Sequence, residues 1–248
     1  MGNLKVSNVS KSYQGSLIIE DVSLEVNKGE LVSLLGVSGV GKTTLFNIIA
    51  GLDLPDCGQV FLDNKDVTGQ PGDISYMLQK DLLMPYRTLE DNVSLPLLIK
   101  GSNKKEARAK VQSFLIEFGL EGMQKKYPQQ LSGGMRQRGA LLRTYLFSNK
   151  FALLDEPFSA LDALTKNSMH QWYLNIMEQI QLSTMFITHD IDEAILLSDR
   201  IYLLAGKPGK IVDEIVVEQK RPRTNEFILS DEFRNYKKRI LASLDIYT

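Results

Sequence analysis

The sequence is poor in cysteine and has no long hydrophobic run. Its 248 residues contain a single cysteine, Cys57, which excludes an internal disulfide framework and fits a reducing compartment. No apolar run approaches the roughly 18 residues that a membrane-spanning helix requires. Residues 1–7 have no apolar core of signal-peptide length. We therefore expect a cytoplasmic protein that would reach a membrane only through a partner.

Charge of neither sign dominates the chain. Lysine and arginine total 29, aspartate and glutamate total 30, and the formal net charge is -1. This balance provides no bulk attraction to nucleic acid, so we expect no nucleic-acid partner. Hydrophobic residues make up 43% and charged residues 24%, as in ordinary globular proteins. The length suits one large domain or two small ones.

The most informative stretch is a phosphate-binding pattern, G-x-x-x-x-G-K-[ST], at residues 36–43. An apolar run before it predicts a buried strand, and the apolar spacing after it predicts a helix. Glycines let backbone N–H groups turn toward phosphate oxygens, and the helix N-terminus adds partial positive charge. The residues of this stretch are Gly36, Val37, Ser38, Gly39, Val40, Gly41, Lys42 and Thr43, followed by Thr44. We expect Lys42 to reach the β- and γ-phosphates of a nucleotide and the Thr43 hydroxyl to ligate Mg²⁺.

Two later strands are predicted to end in polar side chains. The apolar run 151–154 is followed by Asp155 and Glu156, and the run 184–188 is followed by His189. Strands of a parallel sheet present their carboxyl ends at one ligand-binding edge. Asp155 there suits Mg²⁺ coordination, and Glu156 suits the positioning and deprotonation of a water. The only other histidine, His170, is predicted on a helix surface.

Three further features are ambiguous when taken singly. Tyr13 is either an ordinary aromatic at a strand end or a platform on which adenine stacks. Gln79, at the end of another predicted strand, reads alone as a solvent-facing amide. Ser132, Gly133 and Gly134 precede a predicted helix, so they form either a plain loop or a capped helix start that is a second anion site.

The order of these motifs resembles that of the ATP-binding subunits of ABC transporters. The phosphate loop is followed by Gln79, by Leu131-Ser132-Gly133-Gly134, by Asp155-Glu156, by Ser159-Ala160-Leu161-Asp162 and by His189. The resemblance covers about residues 2–217, and the Leu-Ser-Gly-Gly signature is its most specific mark.

The resemblance implies an α/β fold of the P-loop NTPase type. Its RecA-like core, with a mixed or parallel sheet, would comprise about residues 1–79 and 150–220 and carry an N-terminal antiparallel β subdomain. An α-helical subdomain would be inserted at about 80–149. Together these form an ABC-type ATPase domain over 1–220, followed by a partly helical C-terminal tail over 221–248.

The resemblance also implies roles at ATP and Mg²⁺. The implied catalytic residues are Glu156, His189, Lys42 and Gln79, and the implied metal ligands are Thr43, Gln79 and Asp155. Tyr13 would stack on adenine, and residues 36–44 would hold the phosphates. Ser132, Gly133 and Gly134 would cap the γ-phosphate of ATP held on a second copy of the chain. Asp162 would lie across that dimer interface.

The segment Pro85-Tyr86-Arg87-Thr88 and the signature continuation Met135-Arg-Gln-Arg resemble one branch of the family. This branch imports nitrate, sulfonates, taurine, bicarbonate or thiamine precursors, although it commonly has Pro-Trp in place of Pro85-Tyr86. The resemblance thus implies an ATPase that powers import of a small solute of this kind, with an anion among the candidates.

The implied partners are a second copy in a head-to-tail dimer, permease subunits and an extracytoplasmic solute-binding protein. The permease would contact the segment from Gln79 to Thr88 and hold the protein at the inner face of the membrane. Two alternatives stay open: the ATPase of an export or lipid-handling system, and a non-transport ATPase of DNA repair or the ribosome. The second class usually has a coiled-coil insertion or tandem ATPase units, which this sequence lacks.

Overall fold

Two sheets organise the molecule. The computed structural model describes residues 2–148, 150–159, 162–223 and 225–246, and within these ranges the chain forms ten strands and eight α-helices. Four strands form an antiparallel sheet: β1 (Leu4–Tyr13), β2 (Ser16–Val26), β4 (Cys57–Leu62) and β5 (Lys65–Asp66). Their order is β2-β1-β4-β5, which confirms the predicted N-terminal antiparallel subdomain.

The second sheet is parallel except at one edge. It is built from β3 (Leu31–Leu35), β6 (Ser75–Met77), β7 (Phe151–Asp155), β8 (Ser183–Thr188), β9 (Arg200–Ala205) and β10 (Lys210–Val216). The order is β10-β9-β3-β8-β7-β6, and β10 alone runs antiparallel to its neighbour among these described strands. The strands β3, β7 and β8 are buried along their whole length, which explains why β3 and β7 are mostly apolar in sequence.

The helices cover both faces of this sheet. They are α1 (Lys42–Ile49), α2 (Leu89–Ile99), α3 (Lys104–Leu115), α4 (Gly133–Phe147), α5 (Ala163–Ile180), α6 (Ile191–Leu197), α7 (Asn225–Ile228) and α8 (Asp231–Asp245). Because α2, α3 and α4 all lie between β6 and β7 in the chain, the predicted helical insertion is confirmed. Helix starts follow the capping rule, since a polar side chain accepts a backbone N–H bond at Thr88, Asn103, Ser132, Asp162, Asp190 and Ser230.

Three apolar clusters join these layers. The first packs α2 to α5 against one face of the parallel sheet. The second places α1 between the two sheets, with Phe46 and Ile48 fully buried. The third packs α6 against β9, β10 and α8. Burial of these apolar side chains is the main source of stability and fixes the strand ends that form the site.

The structure corrects the predicted position of His170. Its side chain is buried rather than on the surface, with only 6% of the residue exposed. The ring contacts Phe158 edge-on, with a centroid distance of 4.7 Å. His170 lies three residues before Tyr173 and seven before Met177, both buried on α5, so helical spacing could have revealed its inward position.

Over the described residues, none of the helices combines the length and the apolar character needed for a transmembrane span.

Candidate functional site

The phosphate loop joins β3 to α1 and depends on two of its glycines. Gly41 has φ 108°, and a Cβ there would lie 2.5 Å from Cγ2 of Ile19. A Cβ at Gly36 would overlap the carbonyl oxygen of Leu204 on β9. Among the described residues no side chain caps α1, and no acidic residue lies in its first turn. The N–H groups of this helix start therefore face the loop as open donors for an anion.

Lys42 is buried inside the loop. Its Nζ donates to the carbonyl oxygens of Gly36 at 2.7 Å and of Val37 at 2.9 Å. Burial lowers the pKa of Lys42, while the nearby charges of Glu156 and Asp155 oppose that shift. The loop thus holds a cation whose main-chain contacts can be exchanged for phosphate oxygens.

The Asp155 carboxylate, at the end of β7, faces the start of α1. Its Oδ2 accepts from the hydroxyl of Thr43 at 3.5 Å and from the hydroxyl of Tyr76 at 3.4 Å. Burial, followed by the charge of Glu156, raises the pKa of Asp155. A hydroxyl and a carboxylate are hard oxygen donors, and Mg²⁺ is bound by such groups together with water and phosphate oxygens. Thr43 and Asp155 therefore fit Mg²⁺.

Tyr76 is a site residue that the sequence reasoning missed. It lies in β6, in register with Leu153 of β7, and its hydroxyl extends to the last residue of that strand. Burial and the neighbouring Asp155 charge raise the pKa of Tyr76, so its hydroxyl remains a donor at neutral pH. A tyrosine three positions before Gln79 in a short strand was the available signal.

Glu156 is held at both carboxylate oxygens. Oε2 accepts from Nε2 of Gln79 at 3.0 Å, and Oε1 lies 3.1 Å from Nδ1 of His189. Gln79 follows β6 and His189 follows β8, so strands on both sides of β7 contribute to this arrangement. The ends of three strands thereby place an acid, an amide and an imidazole in contact.

These groups surround a cavity of about 290 Å³. Its lining consists of Ile18, Ser38, Gly39, Gly41, Lys42, Thr43, Thr44, Gln79, Asp155, Glu156 and Ile187. The structure thus brings together nine of the residues singled out from the sequence: Ser38, Gly39, Gly41, Lys42, Thr43, Thr44, Gln79, Asp155 and Glu156. The other candidates, all within the described part of the chain, do not line this cavity, and His189 reaches it through Glu156.

Tyr13 lies beside the start of α1 with 42% of the residue exposed. Its hydroxyl donates to the Asp53 carboxylate and also meets the Thr44 side chain. The ammonium of Lys11 lies over the ring at 5.1 Å from its centroid. The hydrogen bond to Asp53 raises the pKa of Tyr13 and lowers that of Asp53. The ring is fixed at its hydroxyl end and exposed, as a stacking platform requires.

Ser132 and Asp162 each cap a helix. The Ser132 hydroxyl accepts from the N–H of Met135 at 3.3 Å, and Gly133 and Gly134 form the first residues of α4. The Asp162 carboxylate accepts from the N–H of Thr165 at 3.0 Å. Ala160 and Leu161, within the predicted turn before Asp162, lie outside the described residues. The exposed start of α4 is a second helix N-terminus open to an anion.

Residues 79–88 form a partly exposed segment that is bound by two arginines of α4. Leu82 and Tyr86 are 53% and 73% exposed. Arg143 donates to the carbonyl oxygens of Leu82 and Asp81 at 2.9 and 2.6 Å, and Arg136 pairs with the Asp81 carboxylate at 3.1 Å. The segment therefore presents apolar side chains on a fixed backbone.

An apolar groove of about 330 Å³ lies between the core and the helical insertion. Its walls include Leu52 after α1, Ile99 at the end of α2 and Phe147 at the end of α4. Tyr76 lines it as well, so this one side chain adjoins both the groove and the Asp155 carboxylate.

Comparison with known proteins gives consistent findings. A family model described as ABC transporter matches residues 19–159. The formylaminopyrimidine import ATP-binding protein ThiZ of Halalkalibacterium halodurans is 47% identical over 206 residues, covering 83% of this chain and 80% of that protein. An uncharacterised ABC transporter ATP-binding protein of Methanocaldococcus jannaschii is 42% identical over 245 residues, covering 97% and 91%.

Further relatives, 34 to 42% identical, carry names that specify import of aliphatic sulfonates, nitrate and taurine or transport of bicarbonate. Among solved structures, a dimeric ATP-binding cassette bound to ADP and phosphate superposes with a TM-score of 0.74. It is 31% identical, and the match covers 88% of this chain and 100% of that one.

Proposed function

The chain belongs to the ABC transporter family of ATP-binding proteins, and from this we propose that it is the subunit whose ATP hydrolysis drives import of a small solute. The reaction converts ATP and water to ADP and phosphate. One observation supports the site assignment above all others. Lys42 and Thr43 line the same cavity as Asp155 and Glu156. Groups suited to bind phosphate therefore lie next to a carboxylate suited to activate water.

The residues of the site would have separate roles in phosphoryl transfer. The loop N–H groups and Lys42 hold the phosphates and neutralise charge. Glu156 positions the attacking water and accepts its proton, because its carboxylate borders the cavity and belongs to a fixed strand end. Gln79 and His189 hold that carboxylate and can exchange their bonds to it for bonds to water or phosphate.

Thr43 and Asp155 would hold Mg²⁺, with Gln79 beside them, and the ion would supply charge neutralisation at the phosphates. Tyr76 donates to the same Asp155 oxygen as Thr43, and it thereby keeps the carboxylate oriented toward the loop.

We propose that the complete site requires a second copy of the chain. Ser132 is exposed, Gly133 and Gly134 are half-buried, and all three lie outside the loop cavity. This placement suits a group that caps a phosphate held on another molecule. Asp162, exposed at the start of α5, would contribute to the same interface. The dimeric solved cassette, 31% identical to this chain, supports this arrangement.

The solute is proposed from the names of the relatives. Those names specify formylaminopyrimidine, sulfonates, nitrate, taurine and bicarbonate, which are small polar or anionic compounds. Permease subunits would dock on residues 79–88 and the adjoining groove, where Leu82 and Tyr86 are exposed. A solute-binding protein would deliver the compound, and the permease would hold this chain at the membrane.

The substitution Glu156→Gln tests the assignment of the site. We expect turnover to fall about a hundredfold or more, because the amide accepts no proton from water, while ATP affinity changes by less than about threefold. Steady-state hydrolysis and calorimetric titration with ATP measure the two quantities on the same purified protein.

A matched control is Glu121→Gln, which makes the same change at an exposed residue of the helical insertion. It should hydrolyse ATP at the wild-type rate. Near-normal turnover in Glu156→Gln would remove Glu156 from the proposed mechanism.

A further inference from the structure

A buried arginine of the C-terminal segment binds the carbonyl oxygens at the end of α6. Arg223 is 3% exposed, and its Nη1 donates to the carbonyl oxygens of Ile195 at 2.8 Å, Leu196 at 3.1 Å and Ser198 at 2.7 Å. These carbonyls belong to the last turn of α6, where no further helical N–H can reach them. A positive charge at a helix C-terminus also interacts favourably with the helix dipole.

The same guanidinium joins α6 to the chain that leaves β10. Its Nε donates to the carbonyl oxygen of Gln219 at 2.8 Å, and its Nη2 to that of Val217 at 3.3 Å. Burial lowers the pKa of Arg223 to about 10, which leaves it protonated at neutral pH. One buried cation thus bridges two backbone segments that are distant in sequence.

The opposite end of α6 begins directly after His189. Asp190 caps the helix by accepting from the N–H groups of Asp192 at 3.0 Å and Glu193 at 3.1 Å. Lys166 of α5 binds the Asp190 carboxylate at 2.6 Å. Because the cap is the residue next to His189, any shift of α6 moves the backbone that carries the imidazole.

Helix α8 covers α6 on the side away from the sheet. Phe233 and Ile240 of α8 are buried in one cluster with Ala194 and Ile195 of α6. Lys237 of α8 also pairs with Asp192 in the first turn of α6, at 2.7 Å. The segment after β10 therefore holds α6 along its length and at its end.

We propose that Arg223 is a positioning residue for ATP hydrolysis: by fixing the end of α6 it keeps His189 in contact with Glu156. The inference rests on the role of His189 in the proposed function. It gives the C-terminal segment a part in the hydrolytic site, from which all of its described residues are absent. The alternative is that Arg223 only stabilises the fold, and the two possibilities predict different kinetics.

A double-mutant cycle separates them. We expect Arg223→Gln to lower kcat about tenfold and to change KM for ATP less than about twofold, because the phosphate loop is untouched. In a His189→Ala background, the same substitution should change kcat less than about twofold, since the group through which it acts is already missing. Basal ATPase activity of the full chain provides these values.

Arg239→Gln is the matched control. Arg239 of α8 pairs with Asp213 of β10 at 2.7 Å, so its loss weakens attachment of the same segment away from α6. Its kcat should stay within about twofold of wild type. An equal loss of kcat from Arg223→Gln in both backgrounds would overturn the inference about Arg223 and leave the proposed function of the protein unaffected. Wild-type turnover in His189→Ala would instead refute the role of His189, and the inference with it.

A second variant serves if Arg223→Gln does not fold. Arg223→Lys keeps the charge but loses most of the five carbonyl contacts. Because the chain has two histidines, ¹³C-histidine labelling gives two imidazole signals, which His189→Ala assigns. We expect the His189 signal to move in Arg223→Lys and to stay in place in Arg239→Gln. An unmoved His189 signal in Arg223→Lys would contradict the inference.

Discussion

At the residue scale, the backbone turn at Glu156 directs two adjacent carboxylates, Asp155 and Glu156, to different neighbours. Glu156 has φ 44°, a left-handed conformation that costs a non-glycine residue about 1 kcal/mol or more. Its N–H bonds to the carbonyl oxygen of Ile187, which fastens the turn to β8. Asp155 consequently stays buried at the strand end, while Glu156 is directed to Gln79 and His189. The backbone strain is located at the carboxylate that we propose as the proton acceptor.

The exposed ring of Tyr13 leads to a prediction about nucleotide affinity. We expect Tyr13→Ala to weaken ATP binding about tenfold, because stacking of a base on an aromatic ring contributes about 1–3 kcal/mol. Tyr13→Phe keeps the ring and loses the hydroxyl contacts with Asp53 and Thr44, so its affinity should stay within about threefold. Calorimetric titration of each purified variant measures both. Equal losses in the two variants would show that the hydroxyl, rather than the ring, matters.

The residues that sequence reasoning found and missed differ in a physical way. Lys42 and Thr43 were predictable because a phosphate loop has fixed local spacing, so their geometry follows from adjacent residues. Tyr76 meets Asp155 across 79 positions, and Arg223 meets Ser198 across 25. Such contacts depend on which strands and helices become neighbours, which local periodicity does not specify.

At the element scale, α2 fixes the segment proposed to meet the permease. Asn92 is fully buried in its first turn, and its Oδ1 accepts from the N–H of Met84 at 2.7 Å. Its Nδ2 lies 3.0 to 3.1 Å from the carbonyl oxygens of Met84, Arg87 and Thr88. One amide thus bonds four backbone groups of residues 84–88 and joins this turn to α2. The element itself, a helix with a Thr88 cap, followed ordinary sequence rules, whereas this anchor did not.

Removal of that anchor should cost stability. We expect Asn92→Ala to lower the free energy of unfolding by about 2–3 kcal/mol, since the N–H of Met84 and the carbonyl oxygen of Arg87 lose this partner without replacement. Urea titration followed by circular dichroism measures it. Asn103→Ala is the control, because Asn103 caps the exposed helix α3 with one bond, and its loss should cost about 1 kcal/mol. A smaller loss in Asn92→Ala than in the control would contradict the anchoring role.

At the scale of the whole molecule, the two phosphate-binding groups that we propose lie apart on one chain. The loop cavity contains Lys42 and Glu156, while the start of α4 at Ser132 lies exposed elsewhere. Both are helix N-termini with open donors, and each suits phosphate oxygens. Two copies placed head to tail would bring each cavity to the other copy's α4, exclude water and so strengthen every charge interaction there. This pairing would make hydrolysis depend on association.

The pairing predicts a specific failure in Ser132→Arg. We expect the variant to bind ATP as a single chain with affinity within about threefold of wild type, because the loop is unchanged. A bulky cation at the start of α4 should prevent closure, since it occupies the space of the partner's phosphate and places an unpaired charge in the interface. In the Glu156→Gln background, where bound ATP persists, light scattering should show two chains for the parent and one for the variant.

Gln129→Arg, which adds the same charge at an exposed position three residues earlier, should still give two chains. Undiminished ATP-dependent association of Ser132→Arg would place the signature outside the interface and leave the loop cavity as a site complete within one chain.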